Sequence, residues 1–317
     1  MTGRARDLAE LLPVRVAGAV VGGLPPGLAR AAGAGLGTVA GSALRVRRSV
    51  VERQIGEAFP DRSREWVRRT ASACYRHFGR EVAEIARLGR HGTADLPRRI
   101  REAGAARSLY RTTVGDGPGG IIVTGHLGNW EMAGALLAAL GIPLAAVVKR
   151  QRNPRFDAWL RASRLRLGIE PIYMEDAYEA IPAALERQRG VALVADQDAR
   201  LRGIFVTFLG RPASTFRGPA RVALAEGVPL FFGAVVRDPP EYRAILERVA
   251  VPEPGPEAEK ELTQRWVSRL EHHVRRWPEQ YFWFHRRWKT LPPGPPAGGV
   301  RVPEAAGADG TQPSVGW

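Results

Sequence analysis

The chain has 317 residues, 44% of them hydrophobic and 25% charged, enough to bury a full core and too apolar for wholesale disorder. Its 47 basic and 32 acidic side chains leave a formal charge of +15, which calls for an anionic partner: nucleic acid, an anionic membrane surface or a phosphorylated substrate. A single cysteine, Cys74, excludes an intrachain disulfide and a cysteine-based metal cluster.

The first residues, Met-Thr-Gly-Arg-Ala-Arg, form no standard signal peptide. Two apolar stretches follow, Val16 to Ala29 and Ala31 to Leu44, separated by Arg30. Each falls short of the roughly 20 apolar residues of a spanning helix, and Pro25-Pro26 interrupts the first. Gly33, Gly37 and Gly41 recur at helical spacing, as do Gly18 and Gly22, which lets helices pack closely. With Arg45, Arg47 and Arg48 behind them, these stretches predict a hairpin of helices lying on or dipping into a membrane. An ordinary buried hairpin is the alternative. Gly35, Gly37 and Ala40 loosely match a dinucleotide-binding turn, but no strand precedes them.

From Val50 to Leu88 the period is helical, with Val67, Cys74, Tyr75, Phe78, Val82 and Ile85 on one face and arginines opposite. Pro60-Asp61 marks a break, and Ser63 before Trp66 an N-cap. Cys74 falls in this apolar pattern and is expected to be a buried structural thiol. Beyond the loop at Gly115 to Gly120 the rhythm changes. Short β-rich runs (Ile121 to Thr124, Leu144 to Val148, Pro171 to Met174, Val191 to Ala195, Ile204 to Phe208, Leu230 to Val236) alternate with helical ones. The latter lie near Trp130 to Leu140, Phe156 to Leu167, Tyr178 to Arg189 and Phe216 to Glu226. This alternation predicts an α/β fold with a mostly parallel central sheet flanked by helices. A last amphipathic helix carries Leu262, Trp266, Leu270, Val274 and Trp277 and stops at Pro278. The expected divisions are an N-terminal membrane-associating helical segment (1–48), a catalytic α/β domain (49–291) and a disordered Pro/Gly-rich tail (292–317).

The chemistry concentrates at Gly125-His126-Leu127-Gly128-Asn129-Trp130-Glu131. An apolar strand runs into it and a helix follows, so His126 sits at the carboxyl end of a strand, where ligands bind in parallel α/β folds. Gly125 and Gly128 strip side chains from the turn, and Asn129 can cap the helix. Glu131, in the first turn, could reach back and hold one ring nitrogen of His126 protonated, leaving the other free to accept a proton. That is the base half of a catalytic triad whose hydroxyl would belong to the substrate.

This stretch resembles the His-x-x-x-x-Asp/Glu motif of glycerolipid acyltransferases. Its surroundings resemble the bacterial lipid A biosynthesis (lauroyl/myristoyl) branch, which includes phosphatidylinositol-mannoside acyltransferases. Further blocks match in order over roughly residues 8–291: Arg48 to Pro60, Asn153-Pro154 to Asp157 with Arg164, Asp196-Gln197-Asp198 before Gly203 to Gly210, and Pro278 to Lys289. The resemblance implies that His126 deprotonates an acceptor hydroxyl as it attacks an acyl thioester of acyl carrier protein or coenzyme A, with Glu131 orienting it. It implies no metal and no cofactor beyond that co-substrate, a lipid acceptor, contact with the cytoplasmic face of the inner membrane, and no nucleic acid.

The candidate substrate-binding residues are Lys149, Arg150, Arg164, Asp196, Asp198, Arg286 and Arg287. Asp196 and Asp198 end a strand at the same edge as His126, as an acid/base pair or as caps of the turn. Arg286 and Arg287, beside Trp283 and Trp288, suit a phosphate or an aromatic cluster that pins the C-terminal segment. Arg211 and Arg217 suit a phosphopantetheine arm or plain solvation. His285 reads as structural, and the adjacent His272-His273 as solvated residues on the last helix. Ser214 and Ser163 lack the Gly-x-Ser-x-Gly elbow of a nucleophile. A rival reading is a non-catalytic basic membrane- or nucleic-acid-binding protein on the same scaffold, although no nucleic-acid-binding motif is present.

Overall fold

A computed structural model describes residues 3–293, so the tail expected to be disordered lies almost entirely outside the described residues. The chain opens with α1 (Gly3–Gly23), α2 (Pro26–Thr38), α3 (Arg48–Ala58) and α4 (Arg64–His91), then α5 (Leu96–Arg99), β1 (Ile100–Arg101) and α6 (Ala103–Val114). The alternating half follows as β2 (Ile121–Thr124), α7 (Trp130–Ala139), β3 (Leu144–Val148), α8 (Pro154–Arg166), β4 (Ile169–Tyr173), α9 (Ala177–Glu186) and β5 (Gly190–Val194). It closes with β6 (Ile204–Phe208), β7 (Arg211–Thr215), α10 (Gly218–Ala225), β8 (Leu230–Asp238), β9 (Glu241–Val249) and α11 (Ala258–Arg276).

Among the described residues seven strands form one sheet, in the order β1-β9-β8-β2-β5-β3-β4, parallel except where β9 runs against β8. β2 lies between β5 and β8 and is buried along its whole length, which is why it reads as an unbroken apolar run rather than an alternation. Ile121 and Val123 enter one core with α9, α10 and α11; Ile122 enters the other with α6 and α7. Ile204 to Phe208, expected among the parallel strands, instead pairs with β7 in a separate antiparallel hairpin. The cause is local. Leu209 and Gly210 both adopt positive φ (51° and 76°), the geometry of a two-residue hairpin turn. β9 escapes sequence reading because Glu241, Arg243, Glu247 and Arg248 mask its apolar alternation of Tyr242, Ala244 and Leu246.

Ser63 caps α4 as its position predicts, accepting a hydrogen bond from the Trp66 N–H at 3.2 Å. Cys74 and Tyr75 of the expected apolar stripe of α4 are buried and Val67 and Phe78 pack against the core, but the stripe ends differently. Val82 is 66% exposed, whereas His77, Glu81 and Glu84 are buried. Against α4 packs α2, where Gly33 and Gly37 come so close to the Gly79 and Tyr75 backbone that a Cβ would strike carbonyl oxygens. The small-residue spacing therefore serves helix packing within the chain. No described helix is long and apolar enough to cross a membrane. The outer faces of the N-terminal helices are nonetheless apolar. Leu8, Leu12, Val16, Val20, Leu28 and Leu36 are all exposed.

Candidate active site

β2 delivers His126 to the carboxyl edge of the sheet, and its neighbour β5 delivers Asp196 to the same edge. Thr124 pairs with Val194, so two residues further along both chains His126 stands opposite Asp196. One carboxylate holds the histidine twice. Asp196 Oδ1 lies 2.7 Å from His126 Nδ1, and Oδ2 accepts the His126 backbone N–H at 2.9 Å. Gly125 makes room for this, since a Cβ there would press on Asp196 Oδ2 and Leu270.

Asp196 is 2% exposed, a burial that by itself would favour its neutral form. The His126 charge and hydrogen bonds, with Arg287 behind, win and hold it down at about 2. For His126 the balance is similar. Burial pulls the imidazole down, the Asp196 charge and hydrogen bond push it up, and the net shift is upward. With Nδ1–H donated to a carboxylate, the neutral ring presents Nε2 as an acceptor. Trp130 and Phe282 flank the ring at centroid distances of 4.9 and 5.6 Å. The Gln197 side-chain nitrogen stands 3.5 Å from Nε2.

Glu131, expected to orient His126, makes no hydrogen bond to it in the structure. Its carboxylate turns away to α8 and grips Arg164, with Nη2 to Oε1 at 2.6 Å and Nε to Oε2 at 3.3 Å. Gly128 (φ +62°) redirects the chain into α7, so Glu131 leaves on the helix facing α8 rather than back toward the ring. Asn129 caps that helix, as expected, through Met132 N–H at 2.9 Å. Its amide nitrogen also donates to buried Glu81 at 2.9 Å.

The closing aromatic segment clasps the same turn. Gly128 N–H donates to the Gln280 carbonyl and Phe282 N–H to the His126 carbonyl, each at 2.9 Å. Asp198 lies outside the reaction edge: it caps Arg200 N–H and holds Thr290 through both N–H (2.9 Å) and hydroxyl (2.8 Å). Arg287 is buried, donating to the Ser214 carbonyl and the Thr215 hydroxyl, and so pins the segment rather than facing solvent. Arg286 is exposed and does not line the cavity described below. His285 accepts the Asp198 N–H at 2.9 Å, a structural place. His273, expected to be solvated, is instead buried between Phe232 and Trp277 with Nε2 2.9 Å from Glu247. Arg211 and Arg217 form ion pairs with Glu57 (2.5 Å) and Glu259 (2.6 Å). Ser214 is fully buried with its hydroxyl on the Arg200 carbonyl, and Cys74 is buried with its Sγ 3.5 Å from the Tyr281 carbonyl oxygen.

A cavity of 810 Å³ opens at His126. Its mouth is polar, with Glu131, Lys149, Arg150, Arg164 and Gln197. Its depth is apolar and lies between α7, α6 and one sheet face, among Ala106, Gly134, Leu137, Ile169, Gly233 and Leu246. At the mouth Arg150 pairs with Glu175 and covers the Tyr173 ring, while Lys149 is exposed and makes no ion pair among the described residues. No group of three His, Cys, Asp or Glu side chains among the described residues is placed to hold a metal ion.

Behind the turn, burial pushes the Glu81 carboxyl up to about 7 from an ordinary 4.5, against hydrogen bonds from Asn129 and Tyr242 and with the Glu84 charge raising it further. The folded chain thus keeps a proton that the unfolded chain releases, and this stabilisation is lost as pH rises from about 4.5 through 7. Glu81→Gln is expected to flatten the pH dependence of the urea midpoint across that window. An unchanged slope would place the dependence elsewhere.

Fold and site together define an α/β protein with a buried aspartate–histidine pair at the carboxyl edge of a parallel sheet, heading a deep apolar cavity. The family model of bacterial lipid A biosynthesis acyltransferases matches residues 13–290, and the chain belongs to that family. It is 27% identical over 279 residues to the lipid A biosynthesis lauroyltransferase of Escherichia coli, covering 84% of this chain and 86% of that one. It is also 26% identical over 157 residues to the phosphatidylinositol mannoside acyltransferase of Mycobacterium tuberculosis, covering 48% of this chain. The match spans about half (50%) of that mycobacterial relative's length.

Proposed function

We propose that this chain transfers a fatty acyl group from a thioester of acyl carrier protein or coenzyme A to a hydroxyl of a lipid A precursor or a related glycolipid or lysophospholipid. The observation that carries the reading is His126 Nε2 at the head of the apolar cavity, with Nδ1 fixed on Asp196. In the reaction Nε2 takes the proton of the acceptor hydroxyl as its oxygen bonds to the thioester carbonyl carbon. The carbon–sulfur bond of the tetrahedral intermediate then breaks, and the imidazolium returns its proton to the departing thiolate. Asp196 stabilises the imidazolium between these steps.

The acyl chain would occupy the apolar depth, and the mouth cations would face the phosphates of acceptor or donor. Arg164, clamped by Glu131, is the best-placed cation to stabilise the oxyanion, and Glu131 fixes its guanidinium rather than the base. The exposed leucines and valines of α1 and α2, backed by arginines, suit peripheral or monotopic attachment at the cytoplasmic face of the inner membrane.

The test is lipid mass spectrometry of a gene deletion complemented by wild type or His126→Ala. One lipid class is expected to lose a single acyl chain and to regain it only with wild type. An unchanged lipidome in all three strains would defeat the proposal.

A further inference from the structure

A second, smaller pocket of 200 Å³ lies on the far side of the turn that carries His126, walled by Arg76, His77 and Arg80 of α4, Arg237 at the end of β8, and Glu279 and Gln280. Other partly buried arginines, such as Arg48, Arg101, Arg164 and Arg243, reach a carboxylate. Arg76, Arg80 and Arg237 are different: all three are partly buried, and none of their side chains has an ion pair or hydrogen bond among the described residues. Packing three guanidiniums together with so little counter-charge is unfavourable. The strain is visible at Arg80, which burial, then the charges of Arg237 and Arg76, pull below its ordinary value. Glu279 supplies one carboxylate at the rim, and the buried Glu81 carboxyl, pushed up to about 7, offsets Arg80 and Arg237 only in part, so the cluster keeps a net positive charge.

Size and charge narrow the occupant. Pockets for drug-sized ligands run about 300–1,000 Å³, so this one suits a group no larger than a compact oxyanion. A phosphate monoester carries about −1.5 to −2 charges near neutral pH, opposite in sign to the cluster, and guanidiniums match its geometry with paired N–H donors. Buried His77 in the wall keeps an Nε2 with no hydrogen-bond partner. Burial pushes its imidazole down to about 3, so the ring is neutral at neutral pH.

We propose that Arg76, Arg80 and Arg237 form a phosphate-binding site separate from the acyl cavity and seated against the back of the catalytic turn. The coupling runs through Gln280. Its side chain holds the Arg237 backbone at N (2.9 Å) and O (2.7 Å), while its carbonyl accepts the Gly128 N–H at 2.9 Å. An anion drawing the three arginines together therefore braces the strap that positions His126. A phosphate on a lipid headgroup and one free in solution share this chemistry.

The experiment titrates the full chain with inorganic phosphate at constant ionic strength, reading thermal unfolding without any acyl substrate, so that its outcome is independent of acyl transfer. Wild type is expected to show saturable stabilisation, since a ligand bound only to the folded state raises its stability. Arg164→Gln, altered in the acyl cavity, should retain it. The double variant Arg80→Gln/Arg237→Gln should raise the apparent Kd at least about tenfold. Should that variant not fold, Arg76→Gln alone is expected to raise Kd about threefold, for the loss of one of three guanidiniums. Flotation with phosphatidylcholine vesicles containing phosphatidic acid, against phosphatidylserine vesicles of equal charge, separates the sources. Selective loss of phosphatidic acid binding in the double variant assigns a lipid phosphate; loss confined to the phosphate titration assigns a soluble one. No saturable effect in wild type, or equal Kd in wild type and the arginine variants, overturns the site.

Discussion

His126→Ala is expected to lower acyl transfer by about a hundred- to ten-thousand-fold, the usual worth of a positioned base, with the fold retained. The sharper result concerns its partner. Because Asp196 lifts the imidazole above its ordinary 6.5 despite burial, His126 acting as the proposed base would be protonated and idle below that point. The wild-type rate should thus rise with pH through a midpoint above about 6.5. Asp196→Asn removes the charge and leaves burial to act alone. The plateau rate should fall and the midpoint should move to lower pH. Glu131→Gln should instead weaken the Arg164 clamp, lowering kcat or raising KM while leaving the midpoint in place. Were the Glu131 variant to move the midpoint and the Asp196 variant to leave it, the assignment of the two carboxylates would be reversed.

Gly128→Ala should be strongly destabilising, for two reasons that add. Gly128 has φ +62°, where an L-residue loses about 1–2 kcal/mol. An added Cβ would also strike the Val235 carbonyl, which cannot swing aside because it accepts the Asn129 N–H at 2.8 Å. The two effects together put the expected destabilisation at about 3–5 kcal/mol, and the displaced turn carries His126 with it. Gly210→Ala is the control. Its φ is +76°, but nothing lies within 4 Å of the new Cβ, so only the conformational part should appear. Urea midpoints of the two variants separate strain from collision, and equal losses would argue against the collision.

Much of this site was legible in the residues around His126. An apolar run ending in Gly-His, glycines in the turn and Asn129 before an amphipathic stretch are local signals, and the cap formed where the sequence placed it. The partner of His126 was harder to read, because Glu131 is near in sequence and Asp196 is 70 residues away. One signal did exist. His126 lies five residues beyond the start of one β-run and Asp196 five beyond the start of another, and the parallel register pairs Ile121 with Val191. Counting from strand starts finds the pair, but only once those two strands are known to be neighbours.

The charged part of the buried face of α4 was missed for a different reason. Periodicity assumes that charged residues face water, whereas His77, Glu81 and Glu84 are buried against Asn129, Tyr242 and arginines from distant segments. The same holds for Arg287, whose partners Ser214 and Thr215 come from β7.

The sequence by itself determined most strands and helices and the caps at Ser63 and Asn129, because these depend on neighbours a few residues apart; β1, β7 and β9 were not legible in it. It also determined the position of His126 at the end of β2. Only the tertiary structure decided which carboxylate holds His126, what Glu131 grips and which charges are buried. It also decided where three arginines meet without a partner. Those outcomes rest on strand order and helix docking, which bring together groups far apart in the chain and let low-dielectric burial and paired charges decide their roles.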